Sequence, residues 1–212
     1  MGSEDVRDVA RRAELAEAVI ARLAGVPGVV GVRPFGSLAS GRADAYSDID
    51  LVVELDGVSD LTFAQEIPDH LAPLGRPLIT GWGLDRLPDT YVRTIYLADY
   101  PLFWHLDIGS AGPLHEADAD LGRRYHWPQI FKMWIAAVKD QLRGRPERTA
   151  DFLRHIAAWA DLSRLSGPDA VRLGQSLELC VERARARGAP CAEIYRRCAE
   201  LRATHVPGWD GT

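Results

Sequence analysis

Lysine is almost missing from this chain. Lys132 and Lys139 are its only two, so arginine carries nearly all of the 25 basic side chains; such a bias can follow from codon composition and points to no function. Net basic charge is missing too. At −5 the chain has no overall positive surface to advertise nucleic acid, and the expected partner is instead a small or cationic molecule. The three cysteines, Cys180, Cys191 and Cys198, are odd in number and lack the spacing of a zinc knuckle or disulfide framework. Reduced thiols in a cytoplasmic protein are the expectation. No apolar run approaches the roughly 18 residues of a membrane span, and the N-terminus has no apolar leader segment, so no membrane partner is expected. A Gly-x-x-x-x-Gly-Lys-Ser/Thr loop, a Gly-x-Gly-x-x-Gly turn and a His-x-x-x-His pair are all absent, which removes P-loop, dinucleotide and zinc-peptidase readings.

What is present is an ordinary globular composition, 47% hydrophobic and 26% charged over 212 residues. Helical spacing of Val9, Ala13, Leu15, Ala16, Val19, Ile20 and Leu23 predicts a helix over 6–23. A strand over 29–35, a turn with a short helix over 36–47 and a strand over 48–55 follow. A helix over 61–74 is expected to break or restart at Pro68. Strands are expected over 77–82, 91–97 and 101–108, the last closed by Gly109-Ser110-Ala111-Gly112. From there the character changes: 128–142, 147–165, 168–187 and 190–203 all read as helices. Stripes such as Ile130, Trp134, Val138, Leu142 and Phe152, Ile156, Trp159, Leu162 read as bundle core. With strands early and helices late, the fold class is α+β. The expected organisation is a mixed sheet with flanking helices over 1–125, a helical bundle over 126–205 and a loose tail over 206–212.

The chemistry-bearing stretch runs from Phe35 to Val53. It holds a Gly36-Ser37 turn and, after ten intervening residues, Asp48-Ile49-Asp50 at the head of an apolar run. Alternation along a strand puts Asp48 and Asp50 on one face and Ile49, Leu51 and Val53 on the other. Two adjacent carboxylates repel unless a cation sits between them. Hard oxygen ligands of this kind suit Mg²⁺, which commonly binds substrate phosphates as well. A glycine-serine turn offers backbone N–H groups and a hydroxyl to such phosphates. Asp107 is a third strand carboxylate, and His105 shares its face, as a pocket-lining or a structural histidine.

The text Gly36-Ser37…Ser47-Asp48-Ile49-Asp50-Leu51 resembles the signature of the nucleotidyltransferase superfamily related to DNA polymerase beta, and is similar to its small-molecule, aminoglycoside- and lincosamide-modifying branch. The resemblance implies two Mg²⁺ ions held by Asp48, Asp50 and Asp107, with Asp107 completing the second metal site or accepting the proton of the attacking hydroxyl. It implies ATP or another nucleoside triphosphate as co-substrate, its phosphates meeting Gly36 and Ser37. Ser47 either contacts phosphate or caps the turn, and Lys139 reaches the triphosphate in competition with Lys132. Asp44 is an alternative acid, and Arg42 an alternative nucleotide contact. The expected reaction moves a nucleoside monophosphate, AMP first, to a hydroxyl of a small molecule such as an antibiotic. Two alternatives remain at this point: protein AMPylation of the toxin–antitoxin kind, and a catalytically silent nucleotide-binding module.

Overall fold

The computed structural model of the protein describes residues 8–83, 90–118, 126–160, 165, 167–186, 188 and 191–205. It divides into two compact units, Met1–Tyr125 and His126–Thr212.

The first unit is a five-stranded sheet with helices packed on it. Helix α1, Val9–Ala24, starts where the Asp8 side chain accepts a hydrogen bond from the Arg11 backbone N–H at 2.9 Å, the usual way an Asp satisfies an orphan donor of the first turn. Its expected start at Val6 lies outside the described residues. Strand β1, Val29–Pro34, leads to a single helical turn, α2, Gly36–Ala39, and then to β2, Ile49–Leu55. Helix α3 spans Asp60–Leu71, with Ser59 as its cap, and passes through Pro68 without stopping. Pro68 forfeits the backbone donor that would have reached the carbonyl four residues earlier and crowds that carbonyl, yet it sits close enough to the helix end that the helix runs on to Leu71. A separate turn of tighter helix, Ala72–Leu74, follows.

Strands β3, Pro77–Trp82, and β4, Tyr91–Leu97, fall where the sequence places them. The next segment does not. Leu102–Trp104 forms a short helical turn, and β5 is Leu106–Ala111, running through the Gly109-Ser110 pair expected to end it. Gly109 and Ser110 are paired with β2 on one side and β4 on the other. Two-sided pairing thus holds them in the sheet despite their weak strand propensity.

Strand order is β1-β2-β5-β4-β3. Only β2 and β5 are parallel, and every other neighbouring pair is antiparallel, so the sheet is mixed and the fold α+β. Ile49, Leu51 and Val53 of β2 and Leu106 and Ile108 of β5 are fully buried. They pack with Leu15, Val19 and Leu23 of α1 and Phe63, Ile67 and Leu71 of α3 in one hydrophobic cluster. Truncating any one of these leucines to alanine would cost about 2–5 kcal/mol. This cluster fixes the strand ends that carry the polar residues discussed below.

The second unit contains, among the described residues, four helices: α4, His126–Leu142; α5, Pro146–Trp159; α6, Asp169–Ala186; and α7, Ala192–His205. Pro146 starts α5 at a position that needs no backbone donor. Helix α6 buries Leu173, Leu177, Cys180, Val181 and Ala184, a stripe at helical spacing. In α4 Ile130, Trp134 and Val138 of the expected stripe are buried and Leu142 is half-buried, and the Trp134 indole donates to the Leu173 carbonyl at 2.9 Å. In α5 the buried residues are Thr149, Leu153 and Ile156, while Phe152 and Trp159 are half-buried; Leu162 lies outside the described residues. None of the described helices is long and apolar enough to cross a membrane.

Candidate active site

The polar residues singled out above gather at one end of the parallel pair β2–β5. Asp48 stands just before β2 and Asp50 is its second residue; Asp107 is the second residue of β5 and lies opposite Asp50 in register. The alternation that drives Ile49 and Leu51 into the core turns these carboxylates away from it. Asp48 is about one-third exposed and Asp107 less.

His105 completes the group. Its Nε2 lies 3.3 Å from Asp48 Oδ2 and 3.6 Å from Asp107 Oδ2. Potential ligand atoms of Asp48, His105 and Asp107 all fall within 4.8 Å of one another. The His105 carbonyl accepts from Ile49 N–H at 3.0 Å, which extends the β2–β5 ladder past the strand, and the ring stacks on Tyr96 at 4.9 Å. Asp50 lies outside this group and against the Gly36 turn instead. A Cβ on Gly36, whose φ is +65°, would come within 2.6 Å of Asp50 Oδ2. Glycine is required there on both counts, backbone angle and space.

Two residues that the sequence reading did not select hold this arrangement. Thr94, buried on β4 opposite Asp107, donates its hydroxyl to Asp107 Oδ1 at 2.5 Å. Arg12, on the apolar face of α1 and only 2% exposed, donates through Nη1 to the backbone carbonyls of Asp44 and Ser47, the turn from which Asp48 emerges. An arginine within the stripe Arg12, Leu15, Ala16, Val19, Leu23 was the available signal. Thr94 had none short of the strand register.

Within that turn the Ser47 hydroxyl accepts from Asp44 N–H at 2.9 Å and donates to Asp44 Oδ1 at 2.9 Å, while Tyr46 N–H also donates to Asp44 Oδ1. Ser47 and Asp44 thus close the turn on each other, and a phosphate contact by Ser47 stays a proposal. Ser37 differs. Its Oγ is buried and has no hydrogen-bond partner among the described residues, a state that costs roughly 1–3 kcal/mol unless a ligand supplies the missing bond. Arg42 Nε donates to the Ser40 hydroxyl. Lys139 and Lys132 belong to α4 of the second unit, the former buried and the latter half-buried, and a triphosphate role for either stays a proposal.

Residues 13–98 match the family described as nucleotidyltransferase domain. The matched stretch runs from α1 through β4, includes Gly36, Ser37, Asp48 and Asp50, and ends before Asp107. No curated protein sequence matches this chain. Among solved structures it is similar to a cytoplasmic RNA terminal U-transferase (17% identity, 77% of this chain against 46% of that one, TM-score 0.37). It is also similar to the Cid1 poly(U) polymerase (20% identity, 79% against 46%, TM-score 0.37). A third likeness is to the GLD-2/RNP-8 complex (12% identity, 79% against 55%, TM-score 0.40). The chain therefore spans about half the length of these structures. At such scores the likeness assigns no substrate to this chain. The expected partners, a small-molecule acceptor and no nucleic acid, are corrected here: the structures it resembles are described as an RNA terminal U-transferase and a poly(U) polymerase. That expectation rested on the resemblance to the small-molecule branch, with net charge in agreement, and net charge measures the whole surface and not the part that meets a substrate. It is withdrawn.

Proposed function

We propose that this chain transfers a nucleoside monophosphate from a nucleoside triphosphate to an acceptor hydroxyl, using divalent metal held by Asp48, Asp50 and Asp107. The observation that supports it best is the convergence of Asp48 and Asp107 at one end of the β2–β5 pair, with Asp50 against the Gly36 turn and all of these but Asp107 inside the stretch that matches a nucleotidyltransferase domain. The donor set fits such a metal: carboxylate oxygens at close range, which would repel one another without a cation between them. Bound there, divalent metal would acidify the attacking hydroxyl and neutralise charge on the leaving pyrophosphate.

The chain's own residues have separable tasks in this reading. Gly36 lets the turn approach closely, and Ser37 Oγ offers its unused hydroxyl to a phosphate oxygen. Asp107, held at Oδ1 by Thr94, keeps Oδ2 for metal or for the proton of the acceptor hydroxyl. Arg12 fixes the turn that sets the position of Asp48. Lys139 is proposed as a triphosphate contact, ATP as the first donor to try, and a reducing cytoplasmic setting agrees with three free, buried cysteines.

The test is incubation with a nucleoside triphosphate labelled at its α-phosphate, Mg²⁺ or Mn²⁺, and a set of hydroxyl-bearing acceptors that includes RNA with a free terminal hydroxyl. Label on an acceptor with release of pyrophosphate is the expected result. Triphosphate binding with no transfer to any acceptor would favour the silent binding module.

A further inference from the structure

The geometry points to His105 as a nitrogen ligand of the metal shared by Asp48 and Asp107, so that the site takes divalent transition-metal ions in preference to Mg²⁺. This inference rests on the nucleotidyl-transfer reading of the same site. His105 was expected either to line a pocket or to serve as a structural residue, and the structure gives it a more central place.

Three observations carry it. The first is separation. Two donors each about 2.1 Å from one ion, at angles between octahedral and tetrahedral, lie roughly 3.0–3.4 Å apart. His105 Nε2 stands 3.3 Å from Asp48 Oδ2 and 3.6 Å from Asp107 Oδ2. The first of these falls within that range and the second just outside it. The second is direction. The imidazole is 3% exposed and stacked on Tyr96 with ring planes 26° apart, so it is not free to swing out to solvent as a surface histidine is. The third is division of labour between the carboxylates. Asp107 Oδ1 is taken by Thr94, leaving the same oxygen, Oδ2, that faces His105.

Ligand type then sets preference. An all-oxygen site suits Mg²⁺ and Ca²⁺, whereas imidazole favours first-row transition metals. Mn²⁺ accepts both donor types and is the natural probe. Replacing one oxygen position by an imidazole nitrogen leaves the phosphate-facing chemistry of the carboxylates in place while changing which ion fills the site at low concentration.

Pulsed electron paramagnetic resonance of Mn²⁺ bound to the full chain reads this directly and needs no catalysis. The expected spectrum shows nitrogen hyperfine coupling that changes when histidine carries the heavier nitrogen isotope and disappears in His105→Gln. The same substitution should weaken Mn²⁺ binding by at least the roughly 10-fold that loss of even an outer-sphere partner causes, with Mg²⁺ binding changed far less. Bound Mn²⁺ without nitrogen coupling in the unmodified chain would overturn the role of His105 and leave the carboxylate reading intact. Failure to bind either ion would overturn both. Because the isotope comparison uses unmodified sequence, it decides the matter even where His105→Gln fails to fold.

Discussion

Thr94 on β4 and Asp107 on β5 face each other in register, and the threonine hydroxyl donates to Asp107 Oδ1 at 2.5 Å. A hydrogen bond to a charged acceptor contributes about 1.5–3 kcal/mol. Here it also selects which oxygen of Asp107 remains for metal or proton. Thr94→Val keeps the shape of the side chain and removes the donor. We expect it to slow transfer about 10-fold or more, with metal affinity reduced in parallel, and Thr94→Ser to restore most of both. Equal activity of the valine variant would make the bond a packing detail.

Gly36 supports a sharper comparison. Alanine there meets Asp50 Oδ2 at 2.6 Å, and φ is +65°. At Gly41 φ is +66°, but a Cβ meets nothing within 4 Å. Backbone strain is therefore shared, at about 1–3 kcal/mol, and displacement of Asp50 is not. Gly36→Ala should lose activity on the order of 100-fold, the scale of an ångström-sized misplacement, while Gly41→Ala loses stability alone. Thermal unfolding and transfer assays on the two variants separate the effects.

Arg12 reaches from α1 to the carbonyls of Asp44 and Ser47. Arg12→Met retains much of the stem and strands those buried acceptors, costing about 1–3 kcal/mol. A melting-temperature drop accompanied by weaker metal binding is the expected outcome. Arg33, on the edge strand β1 and paired with Glu54 of β2, is the control: Arg33→Gln should change stability by less than about 1 kcal/mol.

These three cases also show how much of the site was legible in the sequence. The Gly36-Ser37 and Asp48-x-Asp50 text could be read directly, because alternation on a strand and the needs of a phosphate-binding turn are local. Asp107 was found from its strand pattern although that strand begins five residues later than its apolar run suggests. Leu102–Trp104 is apolar because it is buried as a helical turn, and Gly109-Ser110 stays in the strand because neighbours pair with it on both sides. The role of Thr94 was not legible, and His105 was legible only as a side chain on the face of Asp107. Each depends on register between strands distant in the chain, which local pattern does not encode. Arg12 was half-legible, as a charge in an apolar stripe without a visible partner. The acceptor expectation failed because the Gly36-Ser37 and Asp48-x-Asp50 text speaks for the nucleotide and not for the acceptor, and a global net charge does not report a local surface.

The cysteines of the helical unit give a prediction of a different kind. Burial pushes the Cys180 thiol up to about 12 from an ordinary 9.0 and raises Cys198 further by the same cause. A thiol reagent at pH 8 should leave both unmodified in the native chain and label them after denaturation. The sign for stability follows. A folded value above the unfolded one means this contribution is complete below pH 9 and is lost as pH rises toward 12. Denaturant midpoints measured from pH 8 to pH 11 should fall accordingly, and replacement of Cys180 by alanine should flatten that slope.

The central claim is that Asp48, Asp50 and Asp107 together make the metal-dependent centre of a nucleotidyl transfer. The most direct measurement is the single-turnover rate of α-phosphate transfer in Asp48→Asn, Asp50→Asn and Asp107→Asn, each shown to unfold at a temperature close to that of the unmodified chain. Losses on the order of 100- to 1,000-fold, the scale for removing one preorganised electrostatic group, are predicted for all three. A folded variant of Asp48 or Asp50 that retains full activity would contradict the claim.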